Sequence, residues 1–140
     1  MTAKQYLRLI RSEQKELKIL KEKKETIYYS LLPSAIRYDK DNIQTSPEDM
    51  LSEKVVKMAD LTREIDEHIK YLENHKADAM HMIRQIKTPI CRQVLILYYL
   101  TVKENNELTS WADVSEIICL GDRQTQRIHK EALKEFQALF

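Results

Sequence analysis

Glycine is nearly missing from this chain: Gly121 is the only one in 140 residues. A phosphate-cradling loop needs several glycines so that backbone N–H groups can close on the anion, so nucleotide-binding loops of that type are excluded. Cysteine is scarce too. Cys91 and Cys119 show no paired-cysteine spacing, so two reduced, buried thiols are expected rather than a disulfide framework or a zinc site. No apolar run approaches the length needed to cross a bilayer, and the opening MTAKQYLRLIRSEQKELK is charged in every turn, with no signal-peptide core. The expectation is therefore a cytoplasmic protein with no membrane partner. No serine or cysteine stands in a nucleophile motif, and neither an enzymatic role nor a cofactor is expected.

Charge of one sign is also lacking. Lys and Arg total 23 against 22 Asp and Glu, so the whole-chain balance does not announce a nucleic-acid binder. The layout is uneven, however: the first thirty residues are basic, the middle is slightly acidic and the last stretch is nearly balanced. A DNA reader this neutral would have to concentrate its positive charge on one face.

With so few breakers, the three prolines divide the chain. From about Ala3 to Leu32, Leu7, Ile10, Leu17, Leu20, Ile27 and Leu31 recur at helical spacing, which predicts one long helix. Ser46, Pro47 and Glu48 then combine a cap, a proline at the first helical position and an acid in the first turn. From Leu51 through Val55, Met58, Thr62, Ile65, Ile69, Leu72, Lys76, Ala79 and Ile83 to Ile86, steps of four and three residues alternate. This is a heptad pattern over about five repeats. A helix of that length runs roughly 58 Å and needs a partner. The first helix can supply it by folding back across the Pro33 to Thr45 loop, or a second copy of the chain can, giving a homodimer through the hairpin. Thr62 and Lys76 interrupt the seam as register-setting polar residues do.

His68, His75 and His81 lie on this rod, with Glu64 before His68 and Asp78 before His81. A bundle metal site wants matching glutamate and histidine pairs on several helices, and the first helix offers no matching acids. Solvated or snorkelling histidines are expected, and no metal.

The third block opens at Thr88 and Pro89, again cap then proline, and ICRQVLILYYL is apolar nearly all round, as a buried helix is. After the polar TVKENNELTS, Ser110 can cap a short helix Trp111 to Ile118, followed by a Cys119, Leu120, Gly121 turn. A last helix at about 122–139 starts with Asp122 at the positive end of its dipole. Thr125, Ile128, Ala132, Phe136 and Leu139 gather on one side of it. Arg123, Arg127, Lys130 and Lys134 gather on the other within a sector of roughly 60°, with Gln126 at the border. Such a basic face suits the major groove, where arginine reads guanine, glutamine reads adenine and lysine meets phosphate. It also suits a merely solvated amphipathic helix.

Trp111 opening one helix, then Arg123 with Gln124, Arg127 with Ile128 and His129, and Ala132 with Leu133 form an order that resembles the helix-turn-helix of bacterial sigma factor region four. It is more similar still to phage proteins related to the ArpU and RinA late-gene transcriptional regulators. MTAKQYLRLIR, IQTSP and ADLTREID extend the likeness along nearly the whole chain. Departures are Cys119 where that family has glycine, Gly121 at a common serine position, Gln126 in place of an aromatic, Tyr98 in place of an arginine, and a longer connector in TVKENNELTS.

The combined expectation is an all-α protein, with a coiled-coil-like helical hairpin over residues 1–87 and a helix-turn-helix module over residues 88–140. The resemblance implies a phage-type transcriptional regulator acting on double-stranded DNA in the bacterial host cytoplasm. Arg123, Gln124, Gln126 and Arg127 would meet base edges, Lys130 and Lys134 phosphates, and the rod would pair subunits or touch RNA polymerase. A DNA-packaging adaptor of the small-terminase class and a helical protein-interaction module remain the alternatives.

Overall fold

The computed structural model describes residues 1–31 and 47–140, the side chains of 47–49 aside. Among the described residues the protein is all-helical, with no named strand. The Ser46 cap, Pro33 and the Pro33 to Thr45 connection lie outside the described residues. Helix α1 runs Ala3–Ser30, α2 Pro47–Ile83, α3 Pro89–Leu95, α4 Trp111–Ile118 and α5 Asp122–Leu139. The chain clusters into two compact units, Leu17–Lys70 and Met1–Glu16 with Tyr71–Phe140. The boundary expected between residues 87 and 88 falls inside the second of these, because the first turns of α1 pack with the C-terminal helices.

In the Leu17–Lys70 unit, α1 and α2 are joined by Lys54 Nζ donating to the Ser30 carbonyl at 3.5 Å. Among the described residues of this unit, Ile65 is the buried hydrophobic one. The heptad positions Leu51 and Val55 remain 45% and 52% exposed. Periodicity specifies the face of a helix, while depth depends on what covers it.

The other unit holds the rest of the buried core, including Leu7, Ile10, Ala79, Ile83, Val94, Leu95, Tyr99, Val114 and Phe136. Glu13 Oε2 lies 3.3 Å from His75 Nδ1. Further toward the start of α1, burial first, and then the negative charge of Asp78, push the Tyr6 hydroxyl above its ordinary pKa. Partners thus advance along α2 as they recede along α1, which makes the two helices antiparallel here. His75 is half-buried against Tyr71 and Glu13.

Pro89 occupies the first turn of α3, and Thr88 stands at its N-cap in extended backbone. The Thr88 hydroxyl does not cap. It donates instead to Glu135 Oε1 on α5 at 3.0 Å. The run ICRQVLILYYL, expected as one helix, changes pitch: Ile96–Leu100 is a π-helical turn. Two of its carbonyls are satisfied by α1. Arg11 donates to the Tyr98 oxygen at 2.6 Å and the buried Gln14 to the Tyr99 oxygen at 2.8 Å. Carbonyls at the end of a helix lack intrahelical donors, and side chains from a neighbour supply them here. TVKENNELTS folds back on itself through a Val102 to Leu108 antiparallel bridge, with Asn106 in the left-handed region at φ 64°. Asparagine is one of the residues that tolerates that conformation.

Candidate nucleic-acid interface

The start of α4 is fixed by a capping box. Ser110 Oγ accepts from the Asp113 N–H at 3.2 Å, and Asp113 Oδ2 accepts from the Ser110 N–H at 2.9 Å. Lys103 adds an ion pair to the same oxygen at 2.8 Å. Those donors, Lys103 first, pull the Asp113 carboxyl down to about 2, so the box stays charged through the neutral range.

α4 ends in a Schellman arrangement: Leu120 N–H donates to the Ser115 carbonyl at 3.1 Å and Cys119 N–H to the Glu116 carbonyl at 3.3 Å. Cys119 takes the left-handed residue at φ 59° and ψ 39°. The only glycine, two residues later, has φ −70° and serves as the N-cap of α5. Cys119 is exposed and Cys91 is buried, both as free thiols. The expectation of two buried thiols is therefore corrected for Cys119, which the left-handed turn turns outward.

The two helices are pinned by a buried hydroxyl pair. Ser115 Oγ donates to Thr125 Oγ1 at 2.9 Å, and Thr125 donates on to the Gly121 carbonyl at 3.0 Å. Thr125, Ala132 and Phe136 of the expected apolar face are fully buried, while Leu139 at its far end is exposed. His129 joins them. Its Nε2 lies 2.7 Å from the Tyr99 hydroxyl. Burial first, then the positive charges of Lys4 and Arg8, lower the imidazole to about 4. Burial raises Tyr99 to about 12. The pair is thus a neutral histidine accepting from a protonated tyrosine.

With that face buried, Arg123, Gln124, Gln126, Arg127, Lys130 and Lys134 are all exposed. Arg123, Gln126, Arg127 and Lys130 border one shallow depression of about 390 Å³ together with Asp122. Lys134, farther along, continues the stripe, and Gln124 stands about 60° round the helix from Arg127 at 100° per residue.

Gln126 and Lys130 also border a second, larger groove of about 670 Å³. Its other wall is α1, with Lys4, Arg8, Arg11 and Lys15, and Tyr98, Tyr99 and Trp111 also line it. Tyr98 and Trp111 stack there at 3.8 Å with 12° between their planes, and the Arg11 guanidinium covers the Tyr98 ring at 3.9 Å. No carboxylate lines this groove. Composition marks the first thirty residues as basic but does not locate the groove. The legible signal is the spacing: positions 4, 8, 11 and 15 fall within about 60° on a helix.

No family model matches the chain, and neither the curated proteins nor the solved structures searched contain a match.

Proposed function

We propose that this protein is a DNA-binding transcriptional regulator of the phage late-gene type, with α5 as its reading helix in the major groove. The observation that carries the reading is the division of α5. One face is buried through Thr125, His129, Ala132 and Phe136, and the other presents four exposed cations, Arg123, Arg127, Lys130 and Lys134, with Gln126. A helix held rigidly from behind can offer arginine and glutamine to base edges at low entropic cost. The short turn and the Ser115 to Thr125 hydroxyl bond hold α4 and α5 together, as a paired reading module requires. The resemblance of Trp111, Arg123, Gln124, Arg127, Ile128 and His129 to the ArpU and RinA pattern supports the same use. In this reading the rod pairs subunits or contacts RNA polymerase.

The test is a fluorescence titration of the wild type, Arg127→Ala and Lys134→Ala against a duplex selected in vitro for tight binding and a scrambled one. Arg127→Ala is expected to keep the wild-type melting temperature within a degree or two. It should weaken the selected duplex by about 1 to 3 kcal/mol and narrow the gap to the scrambled one. Lys134→Ala should weaken both duplexes alike. If Arg127→Ala binds the selected duplex as tightly as the wild type, α5 is not the reading helix.

A further inference from the structure

The basic stripe of α1 is a feature that a reading helix on α5 does not account for. Lys4, Arg8 and Lys15 are exposed, and with Arg11 they follow one side of α1 over three turns, roughly 16 Å at 1.5 Å per residue. They face α5 across the groove whose α5 wall includes Gln126 and Lys130. These two residues also border the depression of the proposed reading face, so the two basic surfaces are continuous. Lys4, Arg8 and Lys15 line the groove, and Lys4 and Arg8 act electrostatically on His129, which lines it too.

We propose that α1 is a second nucleic-acid contact, in which Lys4, Arg8 and Lys15 grip one sugar–phosphate strand of duplex DNA lying along the groove beside the base edges met by α5. This rests on the DNA-reading proposal above. Three features favour a strand over a small anion. The cations form a row rather than converging on one point. The groove contains no carboxylate to compete. Tyr98, Trp111, Leu108 and Leu133 also line it, and their apolar atoms suit contact with sugar rather than donation to a single phosphate. Arg11 is already committed to the Tyr98 carbonyl and ring and acts as a strut of the groove. The contact adds affinity without sequence information, because phosphates are common to every sequence.

The test uses the full chain with Lys4, Arg8 and Lys15 all changed to Gln, and a charge-keeping control, Lys4→Arg with Arg8→Lys and Lys15→Arg. Arg11 is left alone because it holds the fold. Binding to the selected and scrambled duplexes of the previous test is measured over about 50 to 200 mM salt, with thermal melting to verify folding. The Gln variant should melt like the wild type and lose on the order of tenfold to a hundredfold affinity for both duplexes. The slope of log affinity against log salt should flatten by about 2 to 3, following three lost phosphate contacts. The preference for the selected duplex should stay unchanged, and the charge-keeping control should bind like the wild type.

If the Gln variant keeps wild-type affinity and salt slope while Arg127→Ala loses affinity, α1 touches no strand and the reading helix stands. If the loss is confined to the selected duplex, or the charge-keeping control loses as much, α1 is not a phosphate grip. A wild type that binds neither duplex sinks the DNA reading itself and this contact with it. Tighter binding to a single strand of the same sequence, lost in the Gln variant, overturns the duplex assignment.

Discussion

The two units solve the packing problem differently. The Leu17–Lys70 unit is built on repetition: two helices, a heptad seam, and, among its described residues, Ile65 as the buried hydrophobic one. The unit of residues 1–16 and 71–140 is built on exceptions. It contains the π-helical turn, both non-glycine residues with positive φ, and all the buried polar side chains among the described residues, namely Glu13, Gln14, Thr109, Ser115, Thr125 and His129. Regular repeats suffice for a rod, whereas placing α5 at a fixed angle over α3 and α4 takes bonds that suit only one arrangement. Both basic surfaces belong to the irregular unit.

The sharpest test of that contrast is a truncation series. Phe136 is fully buried on α5, so Phe136→Ala should cost about 3 to 5 kcal/mol. Ile65→Ala should cost about 2 to 4 kcal/mol, as a buried residue of the repetitive unit. Val55→Ala, at a heptad position that is half exposed, should stay within about 0.5 kcal/mol. Chemical denaturation of the three variants decides it. A Val55→Ala loss equal to that of Ile65→Ala would mean that the outer seam is covered in solution, as a second copy of the chain would cover it.

The next effect is confined to the irregular unit. His129 is held neutral, with its imidazole lowered from the ordinary value near 6.5 to about 4 beside Lys4 and Arg8 and against Tyr99. In the window between those values the unfolded chain binds the proton and the folded chain does not, so stability rises with pH there. The contribution is whole above about 6.5 and is lost as pH falls toward 4. Between pH 7 and pH 4.5 the wild type should lose about 2 kcal/mol from this source, after allowing for solvent screening. His129→Gln keeps an acceptor for the Tyr99 hydroxyl and removes the titration. Melting curves of both proteins over that range should converge at low pH, and parallel curves would show that His129 is protonated in the fold.

Much of this architecture is legible in the sequence because it follows from periodicity and punctuation. The extents of α1, α4 and α5, the Ser110 cap and the burial of Thr125, Ala132 and Phe136 match what spacing and cap residues predict. What is not legible depends on partners far away in the chain. The pitch change at Ile96 is stabilised by Arg11 and Gln14, more than eighty residues earlier. Thr88 has the position of a cap, but Glu135 takes its hydroxyl. The six residues expected on the reading face are exposed, yet four of them share one depression and Gln124 sits apart, a distinction that depends on helix geometry rather than residue type.

The turn between α4 and α5 allows a finer test, because its residues run against ordinary preference. A side chain in the left-handed region costs roughly 1 to 2 kcal/mol, and Cys119 makes only long sulfur contacts, at 3.7 and 4.0 Å, in return. Cys119→Gly should therefore stabilise the protein by about 1 kcal/mol, the strain relief being partly offset by the greater freedom of glycine in the unfolded chain. A net loss in thermal melting would show that the thiol carries packing that its exposure conceals.

The smallest expected effect lies two residues on. Gly121 has an ordinary extended backbone, φ −70° and ψ 161°, and a Cβ built there meets nothing within 4 Å. Its backbone carbonyl already accepts from the Thr125 N–H and hydroxyl, but α5 has no side-chain cap. Serine at this position can accept from the free N–H groups of the first turn and restricts the unfolded chain, so Gly121→Ser should gain about 0.5 kcal/mol. No comparable gain is open to the repetitive unit, whose described residues hold no glycine and no left-handed backbone. Combining Cys119→Gly with Gly121→Ser moves the glycine to the position whose dihedrals call for it. Because the two residues share one turn, their gains need not add, and the double variant measures the coupling directly. A double variant less stable than Cys119→Gly alone would mean that a serine side chain at 121 disturbs the Thr125 hydroxyl pair, and that glycine is kept there to protect the joint between the two helices.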